Sequence, residues 1–244
     1  MKIMAWNCQG LASARAVHAF LEIQKRERPD VFFLSKTHLG KAKAEILKRK
    51  LGCDHFIIHE SDGRSGGLLM LWRKDIVIQN QGVSQYFIDV VIRGNEEWRL
   101  TGIYGEPSWD KKQLTWETLW SLHGNSSLPW LAIGDFNEFL FHHEKEGGRA
   151  RSQAQLQAFQ NTLMDCDLAD IGYVGDVFTW QRGRIRERPD RGLLIYNGTL
   201  YSQRHNSPMG RWSSLITDPS LLIQMAQGYK LPTRRDQEDL RLDG

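Results

Sequence analysis

Two polar side chains, Asp135 and Asn137, follow the apolar run 130–133 and are separated from each other by one phenylalanine. Residues two apart on a strand face the same side of the sheet, so we expect the carboxylate and the amide to project together past the strand end. Such a pair can hold a metal ion or position a water molecule. A lone Asp-x-Asn is also typical of a turn that ends a strand, so the pair needs support from elsewhere in the chain.

Two further predicted strands end in polar groups. The stretch 1–10 is an apolar strand that reaches Asn7 and then a glycine turn, and the stretch 100–107 reaches Tyr104 before another turn. Together with Asp135 and Asn137 these side chains form a hydrogen-bonding and metal-binding set. They do not form a nucleophile with its base.

The order of these motifs resembles the endonuclease/exonuclease/phosphatase superfamily, and within it the apurinic-type endonuclease domain of plant non-LTR (LINE-type) retrotransposons. The resemblance covers residues 1 to about 192. The matching stretches are Trp6-Asn7, Gly63 to Leu68, Ile103-Tyr104-Gly105, Gly134-Asp-Phe-Asn137, Glu144 to Arg149 and Phe178-Thr-Trp180.

The resemblance implies a four-layer α/β/β/α sandwich of two mixed sheets flanked by helices. It implies a phosphodiester hydrolase that acts on DNA with Mg²⁺ or Mn²⁺ and uses no small-molecule cofactor. The residues that it makes catalytic are Asp135, Asn137, Tyr104 and Asp190. It makes Asn7 a metal ligand and Thr179 a supporting residue.

The chain departs from the family pattern in three places. The family carries Leu-Ser-Glu-Thr after its second strand, whereas this chain has Lys36 at the position of the metal-binding glutamate. The family's Arg-Leu-Asp-Arg has Pro189 in place of leucine here, and because proline cannot donate to a strand ladder, we expect the strand presenting Asp190 to be weakened or displaced to a sheet edge. The closing Ser-Asp-His of the family, which supplies the catalytic imidazole, does not occur in the sequence.

An ammonium in place of a carboxylate changes the local charge by two units. At about 4 Å and an effective dielectric constant of about 20, one such repulsion costs a divalent ion about 4 kcal/mol. We therefore expect weakened metal binding and impaired or absent catalysis. Two alternatives stay open for Lys36: it binds phosphate as a fixed cation, or it is a solvated residue just past a strand.

A dense group of arginines surrounds Asp190, and we predict that it contacts nucleic acid. The predicted contacts are Arg182, Arg184, Arg186 and Arg188, which precede Asp190, and the group also includes Arg191, which follows it. The net charge of +3 and the isoelectric point near 8.7 are compatible with a nucleic-acid partner without requiring one. A solvated loop would have the same composition.

The periodicity predicts helices over 13–26, 41–51, 109–122 and 152–164, and strands over 31–34, 56–59, 68–72, 76–79, 86–92 and 98–104. The glycines between 63 and 67 predict a hairpin turn, and His142 and His143 are predicted to lie in a loop. We predict one domain over 1–192 and a divergent C-terminal segment over 193–244, with closing strands missing or altered, a short amphipathic helix near 220–227 and a disordered tail from 234.

Three scattered cysteines, Cys8, Cys53 and Cys166, give no disulfide framework, and no apolar run is long enough for a bilayer. The expectation is an intracellular protein without membrane contact, nuclear if functional. We interpret the chain as a degenerate copy of a retrotransposon endonuclease, altered after residue 192 by a frameshift or a splicing error. The alternatives are a non-catalytic nucleic-acid-binding remnant and an active phosphoesterase on another phosphate substrate.

Overall fold

The computed structural model describes residues 1–11, 14–62, 66–173, 175–195 and 222–225. The helices in this part of the chain are α1 (Ala14–Glu27), α2 (Lys41–Leu51), α3 (Gln113–Gly124) and α4 (Gln153–Asp165). The strands are β1 (Lys2–Asn7), β2 (Val31–Ser35), β3 (His55–His59), β4 (Leu68–Trp72), β5 (Val77–Val83), β6 (Phe87–Arg93), β7 (Trp98–Tyr104), β8 (Trp130–Asp135), β9 (Lys145–Glu146), β10 (Leu168–Asp170), β11 (Trp180–Arg182), β12 (Ile185–Glu187), β13 (Asp190–Ile195) and β14 (Leu222–Met225).

Two large mixed sheets form the centre of the molecule. The first has the order β14-β1-β2-β4-β3, and the second has the order β10-β13-β8-β7-β6-β5. A small third sheet has the order β11-β12-β9. In the first sheet β1 is parallel to both of its neighbours, β14 and β2, and in the second sheet β7 is parallel to β8.

The period-two alternation of the buried strands distributes their side chains over separate cores. On β1, Ile3 packs between the two sheets, whereas Met4 faces the helices α1 and α2. The outer face of the second sheet is covered by α3 and α4, whose rings Trp116 and Phe159 stack with centroids 5.4 Å apart. The order of layers is therefore helices, sheet, sheet, helices, as the resemblance implied.

The two sheets approach each other most closely where the Phe33 ring lies against glycine backbone. A Cβ atom added at Gly102 would lie 2.0 Å from Cδ2 of Phe33, and one added at Gly134 would lie 3.0 Å from Cε1 of the same ring. Gly134 also has φ +134°, a value that side chains disfavour. These two glycines let an aromatic ring occupy space that any larger residue would fill.

The predicted helices and strands up to residue 164 are confirmed, with ends that differ by a few residues. Helix α4 begins after the capping residue Ser152, whose hydroxyl accepts a hydrogen bond from the Gln155 amide while the Gln155 side chain accepts one from the Ser152 amide. The glycine-rich stretch near 63–67 connects the antiparallel neighbours β3 and β4, as a hairpin should, although residues 63–65 lie outside the described part of the chain.

The expectation for the Asp190 strand was wrong. Strand β13 is paired on both sides, with β8 and with β10, and is not an edge strand. Pro189 lies just before the first strand residue, where no ladder donor is required, and its carbonyl accepts a hydrogen bond from the Phe136 amide at 3.0 Å. Strand β13 runs to Ile195 and so passes the domain boundary that we predicted at residue 192.

The helix predicted near 220–227 was also wrong where it can be compared. Residues 222–225 form strand β14, which pairs in parallel with β1 from Lys2 to Ala5. Without β14, the backbone N–H and C=O groups of β1 on that side would lack strand partners. Pairing with them outweighs the weak helical pattern of these four residues. The stretches 196–221 and 226–244, including the predicted tail, lie outside the described residues.

Two expectations about the environment of the protein can be compared with the structure. Cys8, Cys53 and Cys166 are free and buried. Within the described ranges, no helix combines the length and the apolar character needed to cross a membrane.

The contact of Phe33 with glycine backbone predicts a large effect of Gly102→Ala. The added methyl group has no space against the ring, so we expect the free energy of unfolding to fall by about 2 kcal/mol or more. Urea unfolding followed by circular dichroism measures this difference. Gly124→Ala is the matched control, because a Cβ atom there meets nothing within 4 Å and should change stability by less than about 1 kcal/mol. Equal stability of both variants would show that the two sheets are not packed this closely.

Candidate functional site

The ends of four strands meet at one edge of the sandwich. In the first sheet, parallel pairing sets Asn7 at the end of β1 opposite Ser35 at the end of β2. In the second sheet, it sets Tyr104 opposite Asp135 at the ends of β7 and β8. The polar residues that the sequence placed at separate strand ends are thus brought together by the topology.

A hydrogen bond joins the two sheets at this edge. Asn7 Nδ2 donates to Asp135 Oδ2 at 2.6 Å, and the Asn137 backbone amide donates to Asp135 Oδ1 at 2.8 Å. Asp135 is buried, and each of its oxygens accepts one of these bonds. The Asn7 Oδ1 atom is buried and has no hydrogen-bond partner among the described residues, so one oxygen acceptor of the site is free.

Asp190 lies beside Asp135, because antiparallel pairing sets the two residues opposite each other on β13 and β8. Thr179 Oγ1 donates to Asp190 Oδ2 at 2.7 Å, and the supporting role that the resemblance implied for Thr179 stays a prediction. Burial and the charge of Asp135 raise the pKa of Asp190 to about 8. Burial also raises the pKa of Asp135, although Lys36 opposes this increase. The pair therefore carries less than two negative charges at neutral pH.

Lys36 extends from the first sheet toward these carboxylates. It has φ +51°, and its Nζ atom lies 5.1 Å from the centre of the Tyr104 ring. Burial by itself lowers the pKa of Lys36, but Tyr104 and the two carboxylates outweigh burial, so that the pKa is raised and the side chain is a cation. Burial raises the pKa of Tyr104, which keeps the phenol protonated.

Asn137 is held by backbone contacts on both sides. Its residue adopts φ +53°, a conformation that asparagine tolerates better than most residues, and its Nδ2 atom donates to the Gly105 carbonyl at 2.8 Å. The Lys112 ammonium donates to the Asn137 carbonyl at 2.9 Å from beneath the site. Burial lowers the pKa of Lys112 to about 8. Asn137 is therefore placed by the fold before any ligand is bound.

Part of this set lines an open cleft with a volume of about 530 Å³, whereas Tyr104, Asp190, Thr179 and Lys112 are not among its lining residues. Of the residues predicted from the sequence, those in its lining are Asn7, Lys36, Asp135, Asn137 and Arg182. The cleft also contains residues that sequence reasoning missed, namely Gln9, His38, Pro107, Phe139, Arg151, Trp180, Glu187 and Pro189.

Three of the missed residues carry charge or can carry it, and one of them, Glu187, forms an ion pair with Lys145. His38 follows Lys36 by two positions and has its ring next to Gly10, so its closeness in sequence was the available signal. Arg151 lies 3.2 Å from the buried carboxylate of Glu138 and remains partly exposed at the cleft. No local pattern indicated Arg151, because it reaches the cleft only through the packing of the segment before α4.

The four predicted arginines separate into two environments. Arg182 and Arg184 are exposed, and Arg186 is paired with Glu146 at 2.6 Å on the small third sheet. Arg188 lies elsewhere than we expected, because it is 5% exposed and buried in an ion-pair network. That network joins Arg188 and Arg191 to Glu144 and Asp170 at distances of 2.7 to 3.0 Å. It anchors the start of β13 and engages the buried Arg188 guanidinium in three hydrogen bonds to Glu144 and Asp170, so we no longer expect Arg188 to contact DNA.

The two histidines near the Gly-Asp-Phe-Asn strand stay outside the site. His142 and His143 belong to a short 3-10 turn and are exposed, in agreement with their assignment to a loop.

The site does not fit a divalent cation in the manner that the resemblance implied. The free Asn7 oxygen and the carboxylates are suitable donors, but the cationic Lys36 side chain shares their space and is attracted to both carboxylates. Within the part of the chain that is described, no group of three or more His, Cys, Asp or Glu residues could hold a metal ion. Repulsion by the ammonium opposes the charge that two aspartates would attract.

The raised pKa of Asp190 predicts a pH dependence of stability. Between the ordinary value of 3.8 and about 8, the folded protein binds this proton more tightly than the unfolded chain, so stability falls as pH rises through that range. Asp190→Asn removes the titration, and we expect it to stabilise the fold at about pH 8 by roughly 1–3 kcal/mol and to flatten the profile. Chemical unfolding from about pH 5 to about pH 9 measures both effects. Asp75→Asn, at an exposed position, should keep the wild-type dependence of stability on pH. If Asp190→Asn also kept that dependence, the raised pKa of Asp190 would be contradicted.

The fold is similar to those of solved nucleic-acid-processing enzymes. The 3' phosphatase NExo from Neisseria, solved with a product DNA hairpin, matches with a TM-score of 0.62 and 18% identity over 80% of this chain and 86% of that chain. An AP endonuclease from Archaeoglobus fulgidus matches with a TM-score of 0.60 and 15% identity over 79% and 86% of the two chains. The endonuclease domain of TRAS1, a telomere-specific non-LTR retrotransposon, matches with a TM-score of 0.58 and 13% identity over 81% and 86%.

At these identities the likeness establishes the fold. No curated protein sequence matches this chain. The family model described as the Endonuclease/Exonuclease/phosphatase family matches residues 4–213, which extends past the limit of about 192 that the motifs suggested. The chain belongs to the endonuclease/exonuclease/phosphatase family.

Proposed function

We propose that this protein is a copy of a retrotransposon endonuclease that binds DNA in the cleft and has lost most of its phosphodiester-hydrolysing activity. Family membership supports a phosphodiesterase or endonuclease activity for the fold, and members of the family generally depend on a divalent metal. The observation that carries the proposal is the cationic Lys36 side chain beside Asp135 and Asp190. It preserves the shape of the site and alters its charge.

Several parts of a hydrolytic site are retained. The Asp135 carboxylate is oriented by Asn7 and by the Asn137 amide, so it can accept a hydrogen bond from a water molecule in the cleft. The Tyr104 phenol is protonated and can donate a hydrogen bond to a phosphate oxygen. Asn137 is fixed by Gly105 and Lys112. These contacts support binding and orientation of a phosphodiester.

The parts that are missing are those that supply charge and proton transfer. Members of the family use a divalent ion to neutralise the phosphate and to activate water, and the residues of this cleft do not fit that ion. The closing Ser-Asp-His, with the catalytic imidazole of the family, is absent from the sequence. His38 lines the cleft, but it follows β2 on the first sheet and does not come from the late segment that carries the family's imidazole. Binding without efficient hydrolysis is the expected result.

The retrotransposon origin is supported by the motifs from Gly134 to Asn137 and from Phe178 to Trp180, and by the likeness of the fold to a retrotransposon endonuclease domain. A glutamate codon becomes a lysine codon by one base change, and a leucine codon becomes a proline codon in the same way. The substitutions at Lys36 and Pro189 are therefore compatible with a copy under relaxed selection. In this proposal the partner is DNA and the site of action is the nucleus.

A non-catalytic nucleic-acid-binding protein is the second candidate, and the composition of the cleft favours it. Trp180 and Phe139 contribute rings and Arg151 and Arg182 contribute cations to the same lining. Aromatic rings beside cations are typical of surfaces that bind nucleic-acid strands, because bases stack on the rings while the cations contact the phosphates. This candidate differs from the first only in whether any hydrolysis remains.

Nicking of supercoiled plasmid and of a duplex with one abasic site tests the proposed loss of activity. With Mg²⁺ or Mn²⁺ present, we expect the purified protein to nick no faster than its Asp135→Ala variant, because water activation by the metal is lost. Gel electrophoresis of the open-circular product measures the rate. Robust nicking by the wild-type protein that Asp135→Ala abolishes would overturn the proposal.

Lys36→Glu separates metal binding from catalysis. Removal of the ammonium takes away a repulsion on the order of 4 kcal/mol and adds a carboxylate, so we expect Mn²⁺ affinity to rise at least about tenfold. Electron paramagnetic resonance of free Mn²⁺ measures the affinity directly. Nicking should stay absent, since the imidazole of the family is still missing. Unchanged Mn²⁺ affinity would show that Lys36 does not control access of the ion.

A further inference from the structure

We propose that the Lys36 ammonium turns the cleft into a binding site for a nucleic-acid backbone phosphate that requires no divalent cation. This inference rests on the proposed function only in taking nucleic acid as the ligand. It concerns the electrostatic basis of binding and makes no claim about hydrolysis.

The charge of the site favours binding of an anion. Exchange of a carboxylate for an ammonium adds two positive charges, which equals the charge that one divalent cation would bring to a site with a glutamate. Lys36 is attracted to Asp135 and Asp190, so it offsets the negative charge that this pair retains and that would otherwise repel a phosphate. An anion can then approach a cleft floor that already holds its counter-charge.

Hydrogen bonds fix the backbone at Lys36. Its carbonyl accepts a hydrogen bond from Gly10 at 2.8 Å, and the next residue, Thr37, donates its amide to the Gly67 carbonyl at 3.1 Å. Neighbouring strands thus hold the segment from both sides. A side chain that starts from a fixed backbone loses less conformational entropy when it binds a ligand.

The Lys36 ammonium has N–H donors available for a ligand. Lys36 is half-buried and lines the cleft, and its Nζ atom lies 5.1 Å from the centre of the Tyr104 ring. Among the described residues, no carboxylate forms an ion pair with it within 4.0 Å. An ammonium has three donor hydrogens, so at least one can reach a phosphate oxygen.

The surroundings of Lys36 suit a nucleic-acid strand rather than an isolated phosphate ion. The guanidinium of Arg151, which also contacts Glu138, and the exposed side chain of Arg182 lie in the same lining and offer further cations to neighbouring phosphates of one strand. Trp180 offers a partly exposed ring in the same cleft for stacking of a base. Lys36 and Arg151 are partly buried, whereas Arg182 is exposed.

Fluorescence anisotropy of a labelled single-stranded oligonucleotide, measured in excess EDTA, tests the inference. We expect the wild-type protein to bind, with a Kd that changes less than about twofold when Mg²⁺ replaces EDTA at matched ionic strength. Lys36→Gln should weaken binding at least about tenfold and reduce the slope of log Kd against log salt concentration by about one, because one phosphate contact is lost. Lys36→Arg should retain most of the affinity.

The matched control is Lys43→Gln, which removes the same charge from an exposed position on α2 outside the cleft and should leave both Kd and slope nearly unchanged. Lys36→Glu gives the opposite test: binding should be lost in EDTA and recovered with Mg²⁺. Circular dichroism and thermal melts establish that each variant is folded before its affinity is compared.

Wild-type binding that requires Mg²⁺ would overturn the inference, as would Lys36→Gln binding with wild-type affinity and slope. In the latter case DNA binding through the arginines, and with it the proposed function, would stand. Conversely, Mg²⁺-dependent nicking by the wild-type protein would overturn the proposed loss of activity. It would not overturn the inference that Lys36 binds a phosphate, because that contact is measured in EDTA. Absence of any DNA binding by the wild-type protein would overturn both.

Discussion

The geometry of the candidate site depends on the close packing of one aromatic ring between the two sheets. Phe33 lies over Gly102 and Gly134, and it precedes Lys36 by only three residues on the same segment. Gly102 precedes Tyr104, and Gly134 precedes Asp135, so the ring sets the distance between the strand ends that carry the polar groups. If the sheets were farther apart, the hydrogen bond between Asn7 and Asp135 could not form.

The site combines several buried charges, and their cost is distributed through the surrounding structure. Burial, together with the second carboxylate beside it, raises the pKa of Asp190 to about 8. Burial lowers the pKa of Lys112, which supports the site by donating a hydrogen bond to the Asn137 carbonyl. The ion pairs of Arg188 and Arg191 with Glu144 hold the start of β13, and because both partners are buried and hydrogen-bonded, loss of either one would leave an uncompensated charge.

Under the proposed function, Lys36 explains how the fold keeps the shape of the family's cleft while its charge differs. The residue directly follows β2, and its ammonium lies 5.1 Å from the centre of the Tyr104 ring. Shape depends on the apolar core, which the substitution does not touch. Charge depends on a few side chains at the strand ends, where one substitution alters the local charge by two units. Recognition of a phosphate and its hydrolysis can therefore be lost separately.

The sequence by itself determined the strands and helices up to residue 164, the family, and the placement of Asn7, Tyr104 and Asp135 at strand ends, because these features follow from local periodicity and from motif order. Only the tertiary structure decided features that depend on contacts between distant segments. They are the pairing of β13 on both sides despite Pro189, the strand Leu222–Met225, the burial of Arg188, and the presence of His38 and Arg151 in the cleft. A strand is stabilised by whichever partner edge is available, and a long charged side chain by whichever carboxylates surround it, and neither can be determined from the neighbouring residues of the chain.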